Sequence, residues 1–233
     1  MNSIPRSEHP KPQFQRDSWM NLNGLWAFEI DNGRSGKARG LSAADAQLSS
    51  QILVPFCPQS ELSGVNHKDF LYGVWYRRTV DLTKEQLSGR VALHFGAVDY
   101  RCEAFVNGVS VGTHTGGYVS FCFDVTEAVR EGENVITVYA EDDERDPLIP
   151  RGKQSELFYS HGCDYTRTTG IWQTVWMEFL PETHIEKIKI FPNVETGSFD
   201  VEALLKGAGT LAVEASYEGR PMGAASVKAD GGL

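Results

Sequence analysis

The chain is short of positive charge. Its 22 Lys and Arg stand against 31 Asp and Glu, a formal net charge of −9. No run of Lys or Arg makes a local basic patch, which argues against nucleic acid or an anionic membrane surface as a partner. No apolar stretch approaches the roughly 18 residues needed to cross a bilayer. The opening stretch MNSIPRSEHPKPQFQRDSW lacks the apolar core of a secretory signal. The four cysteines, Cys57, Cys102, Cys122 and Cys163, are scattered with no Cys-x-x-Cys spacing, which predicts reduced, mostly buried thiols. No Asn-x-Ser/Thr acceptor occurs either. These absences together predict a cytoplasmic protein.

Catalytic signatures are missing as well. The six histidines, His9, His67, His94, His114, His161 and His184, show no His-x-His or His-Glu-x-x-His spacing, so no zinc site is legible. GRSGKA lacks the spacing of a phosphate-binding loop, Gly-x-Ser-x-Gly does not occur, and no dinucleotide-binding glycine fingerprint follows a strand. No cofactor and no metal is expected. Carboxylates are plentiful, but they sit on alternating strands or in turns, and nothing nominates a catalytic pair.

What is present is strand. RVALHF, RCEAFVNG, FCFDV, ENVITVYA and IWQTVWMEF are short, rich in β-branched and aromatic residues, and bounded by Gly, Asn and Asp. In EAFVNGVSVGT, Asn107-Gly108 supplies the two positive-φ positions of a type I′ hairpin turn. Helical signals are few: Thr83 with Gln86 forms a capping box at LTKEQL, and LSAADAQLSS suggests one short helix. Many short strands with almost no helix predict an all-β chain built as a β-sandwich. Trp19, Trp26, Trp75, Phe105, Phe121 and Phe123 are expected in its core.

The pattern changes near LPETHIEKIKIFPN, where Ile185, Ile188 and Ile190 alternate imperfectly. Strand-like pieces follow at FDVEALL, TLAVEASYEG and MGAASVKA. An immunoglobulin-like sandwich takes about 100 residues, more than lie beyond Pro181. The expectation is one domain over 1–181 and the truncated start of a second over 182–233.

The least bland stretch is SHGCDYTRTTGIWQTVW, Ser160–Trp176. Asp164 and Arg167 stand three residues apart just before an aromatic strand. On residue chemistry alone, Asp164 is a turn residue capping backbone amides, and Arg167 is a planar fork suited to holding Asp164 or a carbonyl in place. Trp172 and Trp176 have even parity, so one strand would point both to one buried face, with a sugar-stacking platform as the sharper alternative. His161 and Tyr165 flank the Asp as further ligand candidates. The acidic run Glu141–Asp146 has the oxygen ligands for calcium, with a solvated strand end as the plainer reading.

Three stretches carry a resemblance. PQFQRDSWMNLNGLWAFEI has the spacing Arg-x-x-Trp-x-x-Leu-Asn-Gly-x-Trp-x-Phe, from Arg16 to Phe28. LYGVWYRRTV, FVNGVSVGTHTGGYVSFCFDVT and DDERDPLIPRGKQ follow, and then the loop itself. From Pro12 to Leu180 the chain resembles the N-terminal sugar-binding domain of glycoside hydrolase family 2, the β-galactosidases, β-glucuronidases and β-mannosidases. The resemblance implies a jelly-roll sandwich, then part of an immunoglobulin-like domain, ahead of a TIM barrel that carries both catalytic glutamates. No Asn-Glu dipeptide and no barrel-length segment occur here, so this chain is expected to be inactive alone. In the family pattern Asp-x-x-Arg-x-x-Gly-Ile, read here as Asp164 to Ile171, the Asp reaches across to the sugar in the barrel. That makes Asp164, Arg167, His161 and Tyr165 the candidate substrate-binding residues. A β-linked sugar and the parent's own barrel become the expected partners, with homo-oligomers allowed. The rival expectation is a free-standing carbohydrate-binding module. Tyr165-Thr166, where bacterial β-galactosidases typically carry Met-Trp and β-glucuronidases Phe-Phe, leaves the sugar open.

Overall fold

A computed structural model describes residues 4–143 and 145–231. The strands in chain order are β1 (Trp19–Asn21), β2 (Gly24–Ile30), β3 (Ser50–Val54), β4 (Gly73–Leu82), β5 (Arg90–Phe95), β6 (Val98–Asp99), β7 (Arg101–Val106) and β8 (Val109–Thr115). They continue as β9 (Phe121–Asp124), β10 (Gly132–Glu141), β11 (Gly170–Ile171), β12 (Val175–Leu180), β13 (His184–Asn193), β14 (Ser198–Lys206), β15 (Gly209–Tyr217) and β16 (Arg220–Ala229). The only helical turns among the described residues are two short 3-10 pieces at Pro12–Phe14 and Glu61–Ser63. The chain separates into two compact units, Met1–Phe179 and Leu180–Leu233, and both are all-β.

The first unit is a β-sandwich. A four-stranded sheet in the order β1-β12-β5-β9 faces a six-stranded sheet in the order β3-β2-β4-β10-β7-β8. Period-two alternation builds the core between them. Trp26 and Phe28 of β2, Val74, Tyr76 and Val80 of β4, and Ile136, Val138 and Ala140 of β10 point inward from one sheet. Val91, Leu93 and Phe95 of β5 and Val175, Met177 and Phe179 of β12 meet them from the other. The spine is β4 against β10, antiparallel from Gly132↔Leu82 to Glu141↔Gly73.

A second apolar layer lies on the outer face of the six-stranded sheet, where Trp75, Phe105 and Tyr139 are buried with Leu41 and against Leu48. The segment that covers them includes LSAADAQLSS, which forms turns rather than the expected helix. Its leucines and its carbonyls explain the difference. Arg77 donates to the carbonyls of Ala43 and Ala44, and the Ala43 carbonyl also takes a turn bond from the Ala46 amide (3.2 Å), so the segment is held as turns against the sheet. Nearby, Asp31 accepts from the amides of Ser35 (2.9 Å) and Gly36 (2.7 Å) and from Trp75 Nε1 (3.0 Å). Burial works against its charge, yet these donors leave its carboxyl below the usual range.

Other expectations meet the structure one by one. Asn107 and Gly108 take φ of 53° and 83° at the β7–β8 turn, the left-handed pair the hairpin needs. The Thr83–Gln86 capping box forms in both directions, at 2.8 and 3.3 Å, but closes a turn and not a helix. Trp26, Trp75 and Phe105 are buried, while Trp19, Phe121 and Phe123 are half-buried on strands at or beside sheet edges. The thiols depart from expectation: only Cys102 is buried, Cys57 is intermediate, and Cys122 and Cys163 are exposed because their strand and loop positions face outward. Trp172 and Trp176 do not share a strand. Trp172 lies in the gap between β11 and β12, donating to the Gly117 carbonyl at 2.8 Å, whereas Trp176 is buried in β12 and stacks on His94 at 4.8 Å.

The second unit consists of two antiparallel hairpins, β13–β14 and β15–β16. A register shift between Ile185 and Lys187 accounts for the imperfect alternation of Ile185, Ile188 and Ile190. Among the described residues no helix is long and apolar enough to cross a membrane.

Candidate functional site

The Asp164 loop leaves the sandwich after β10 and returns through β11. β11 is short because its partner, β6, offers only two residues, with Gly170 opposite Asp99 and Ile171 opposite Val98. Residues 161–164 close on themselves: the His161 amide donates to the Asp164 carbonyl (3.1 Å) and the Asp164 amide to the His161 carbonyl (2.8 Å). This puts Asp164 at the end of a tight turn. Its carboxylate caps no backbone amide among the described contacts. Instead Oδ1 lies 4.0 Å from Cys163 Sγ, and Oδ2 lies 3.8 Å from His161 Nε2.

His161 is oriented from behind. Ser155 Oγ donates to the Tyr159 carbonyl at 2.8 Å and accepts from the Leu157 amide at 3.1 Å. Its one proton is therefore committed, and toward His161 Nδ1, 3.2 Å away, it only accepts. Nδ1 carries the proton, and in the neutral ring Nε2 turns a lone pair toward Asp164.

Glu156 is the third member, with its own ligand atom and those of His161 and Asp164 all within 4.8 Å of one another. Its backbone N–H, with the charge of Arg151 2.8 Å away, holds the Glu156 carboxyl below its usual range, so it is ionised. Two carboxylates and His161 Nε2 thus converge on one spot, and while the ring is neutral all three are acceptors. This is the one such grouping that could hold a cation among the described residues. Arg151 already offsets part of its charge, and donor groups such as hydroxyls match it equally.

Arg167 faces the other way. It is 1% exposed, and its guanidinium donates to the carbonyls of Ser155 (3.3 Å), Phe158 (3.3 Å), Leu157 and Lys68. The ring of Phe70 lies 4.2 Å beneath it. Buried in this way, Arg167 fastens the loop base and offers a ligand no free donor face. It does not hold Asp164 directly. Tyr165 is 64% exposed; its backbone pairs with Lys153 and Ser155, at 2.7 and 2.8 Å, and its ring projects outward. Leu148, Leu157, Phe158 and Tyr159 are exposed on the same loop.

The acidic run is neither a solvated strand end nor a gathered ligand set: Asp142 is buried, and Glu141, Asp143 and Asp146 are half-buried on partners within the protein. Glu141 accepts from Tyr139 at 2.7 Å, Asp143 pairs with Arg34 at 3.9 Å, and Asp146 caps the Leu148 amide at 2.9 Å. Glu144 lies outside the described residues.

A family model, "Glycosyl hydrolases family 2, sugar binding domain", matches residues 19–181. The chain belongs to this family. Relatives include a β-galactosidase of Thermoanaerobacter pseudethanolicus, 33% identical over 123 residues, 52% of this chain and 16% of that protein. The β-glucuronidase of Felis catus is 27% identical over 212 residues, 80% of this chain and 32% of that one. Among solved structures, apo β-glucuronidase from Ruminococcus gnavus superposes with a TM-score of 0.76 at 19% identity, over 94% of this chain and 40% of its own. The matched part of the chain thus spans from 16% to 40% of the length of these proteins.

Within the domain, sequence reasoning nominated Asp164, Arg167, His161 and Tyr165 and passed over Glu156, Gln154 and Ser155. Gln154 ends DDERDPLIPRGKQ, a stretch that carried the family resemblance, and Ser155 and Glu156 follow it directly, but their residue types alone signal nothing. Only their convergence marks them.

Proposed function

We propose that this chain is the non-catalytic N-terminal region of a family 2 glycoside hydrolase of β-galactosidase or β-glucuronidase type. Residues 1–181 form its jelly-roll domain, and 182–233 begin an immunoglobulin-like second domain. The chain presents the Asp164 loop to a β-linked sugar held in a catalytic barrel elsewhere in the parent protein. One observation carries this reading: Asp164, uncommitted to any backbone cap, converges with Glu156 and His161 Nε2, two carboxylates and a ring nitrogen within reach of one ligand. Sugar hydroxyls are the complementary donors, and charge-assisted bonds to a carboxylate are the stronger kind. The exposed Phe158, Tyr159 and Tyr165 around the cluster supply apolar surface that a barrel would cover. The four cysteines form no disulfide among the described residues, which suits a reducing, cytoplasmic setting.

The test is Asp164→Ala in the full-length parent, assayed on aryl β-galactoside, β-glucuronide and β-mannoside. Losing two charge-assisted bonds should lower kcat/KM on the active substrate by on the order of 100-fold or more. An unchanged kcat/KM would end the proposal. Micromolar binding of a free sugar by the 233-residue chain in a calorimeter would favour the rival carbohydrate-binding module.

A further inference from the structure

Gln154 sits where the two flanks of the Asp164 loop come together, and both N–H donors and the carbonyl oxygen of its side chain are engaged. It is 8% exposed. Its Nε2 donates to Asp99 Oδ2 at 2.8 Å and to Tyr118 Oη at 3.1 Å, and its Oε1 accepts from the Thr168 amide at 2.5 Å. The orientation of the amide follows from chemistry. A carboxylate oxygen accepts and a backbone N–H donates, so the nitrogen must face Asp99 and the oxygen Thr168.

Each partner belongs to a different part of the fold. Asp99 is in β6, opposite Gly170 of β11, and is part of the sandwich frame. Tyr118 lies on the turn before β9, next to Gly117, whose carbonyl accepts from Trp172. Thr168 is on the returning flank of the loop. The backbone adds a parallel bridge between Gln154 and Tyr165, the residue that follows Asp164. One buried amide therefore locks the outgoing flank, the returning flank and the frame together beneath Asp164.

We propose that Gln154 is the positioning residue for Asp164: it sets where the Asp164 carboxylate stands, and so how well sugar is held, without touching the sugar. This rests on the function proposed above. A displacement of about 1 Å at a substrate contact can lower turnover by as much as 100-fold.

The variants are Gln154→Ala, Gln154→Glu and Tyr118→Phe in the full-length parent, with Asp164→Ala alongside. Gln154→Ala should lower kcat/KM by roughly 10- to 100-fold in molecules that circular dichroism shows to be folded at the assay temperature. Tyr118→Phe, at a half-exposed position, removes one acceptor and should cost several-fold less. Gln154→Glu carries the distinguishing signature. It sets a second carboxylate against Asp99, and like charges so placed raise the pKa of the pair. Once protonated, the introduced carboxyl donates to Asp99 again. The kcat/KM of this variant relative to wild type should therefore rise as pH falls from about 8 to about 5. The other groups facing this point are Tyr118 and Asp142. Burial, with the charges of Asp99 and Asp142, pushes Tyr118 up, so it stays neutral across that range. If Asp164→Ala keeps full activity, the proposed function itself fails. If Asp164→Ala is crippled while folded Gln154→Glu and Tyr118→Phe match wild type at every pH, the positioning role is overturned.

Discussion

Arg167 shows how much one side chain can hold. Its guanidinium reaches carbonyls 9 to 12 residues back along the chain, at Phe158, Leu157 and Ser155, and one 99 residues away, at Lys68. Arg167→Met keeps the apolar stem over Phe70 but strips every donor, taking a partner from the buried Ser155 carbonyl and from three part-buried ones. Each unmet buried polar group costs about 1–3 kcal/mol. We expect a loss of roughly 3 kcal/mol in urea unfolding, since some carbonyls will find water. A change below about 0.5 kcal/mol, the range of neutral surface substitutions, would show that the guanidinium is not what fastens the loop. The spacing of Asp164 and Arg167 pointed to this pair of residues, but not to the division of labour between them. The carboxylate faces outward and the guanidinium inward because successive loop residues answer to different neighbours.

At the scale of elements, the two-residue pairing of β6 with β11 decides where the loop re-enters the sandwich. Gly170 is the pivot. It has φ of +73°, and a methyl group there would lie 3.0 Å from Tyr76 Cε2, in a ring whose hydroxyl accepts from the Ile171 amide at 3.2 Å. A left-handed backbone costs a non-glycine residue about 1–2 kcal/mol, and overpacking adds a further 1–3 kcal/mol, roughly. Gly170→Ala should therefore lower stability by about 3 kcal/mol, read as a fall in the urea midpoint at constant m-value. Retention of the wild-type midpoint would mean that β11 relaxes freely. The β7–β8 hairpin, by contrast, was legible from Asn107-Gly108 alone, because a two-residue turn is specified by its own backbone.

At the scale of the molecule, the N-terminal segment is tied to the outer face of the four-stranded sheet through Glu178. This carboxylate is 3% exposed and faces Arg16 at 2.6 Å, His94 at 3.0 Å and His9 at 3.7 Å. Burial pushes its pKa up, but the His94 hydrogen bond and the charges of His94, Arg16 and His9 outweigh that, and the group ends below its ordinary 4.5. A lowered folded-state pKa stabilises the fold above the ordinary value, and that contribution disappears as pH falls through the folded one. Glu178→Gln should be less stable than wild type at pH 7, by about 3 kcal/mol for a broken buried pair. The gap should close in thermal melts taken at successively lower pH below 4.5. A gap that stays constant with pH would show that the loss is one of packing rather than charge.

By itself the sequence determined that this is an all-β chain, that its sheets are two-faced and where its tight hairpin lies, because period-two patterning and turn chemistry act between near neighbours. Its ordered motifs, from Trp19 onward, also determined the family. Tertiary structure alone decided which polar groups meet. Gln59 and Thr169 bond across 110 residues, Gln154 and Asp99 across 55, and Arg167 and Lys68 across 99. Such pairings leave no local period in the sequence. They arise because a buried donor or acceptor must find a partner once the sheets have closed, and those closures are what place Asp164 at the end of its loop.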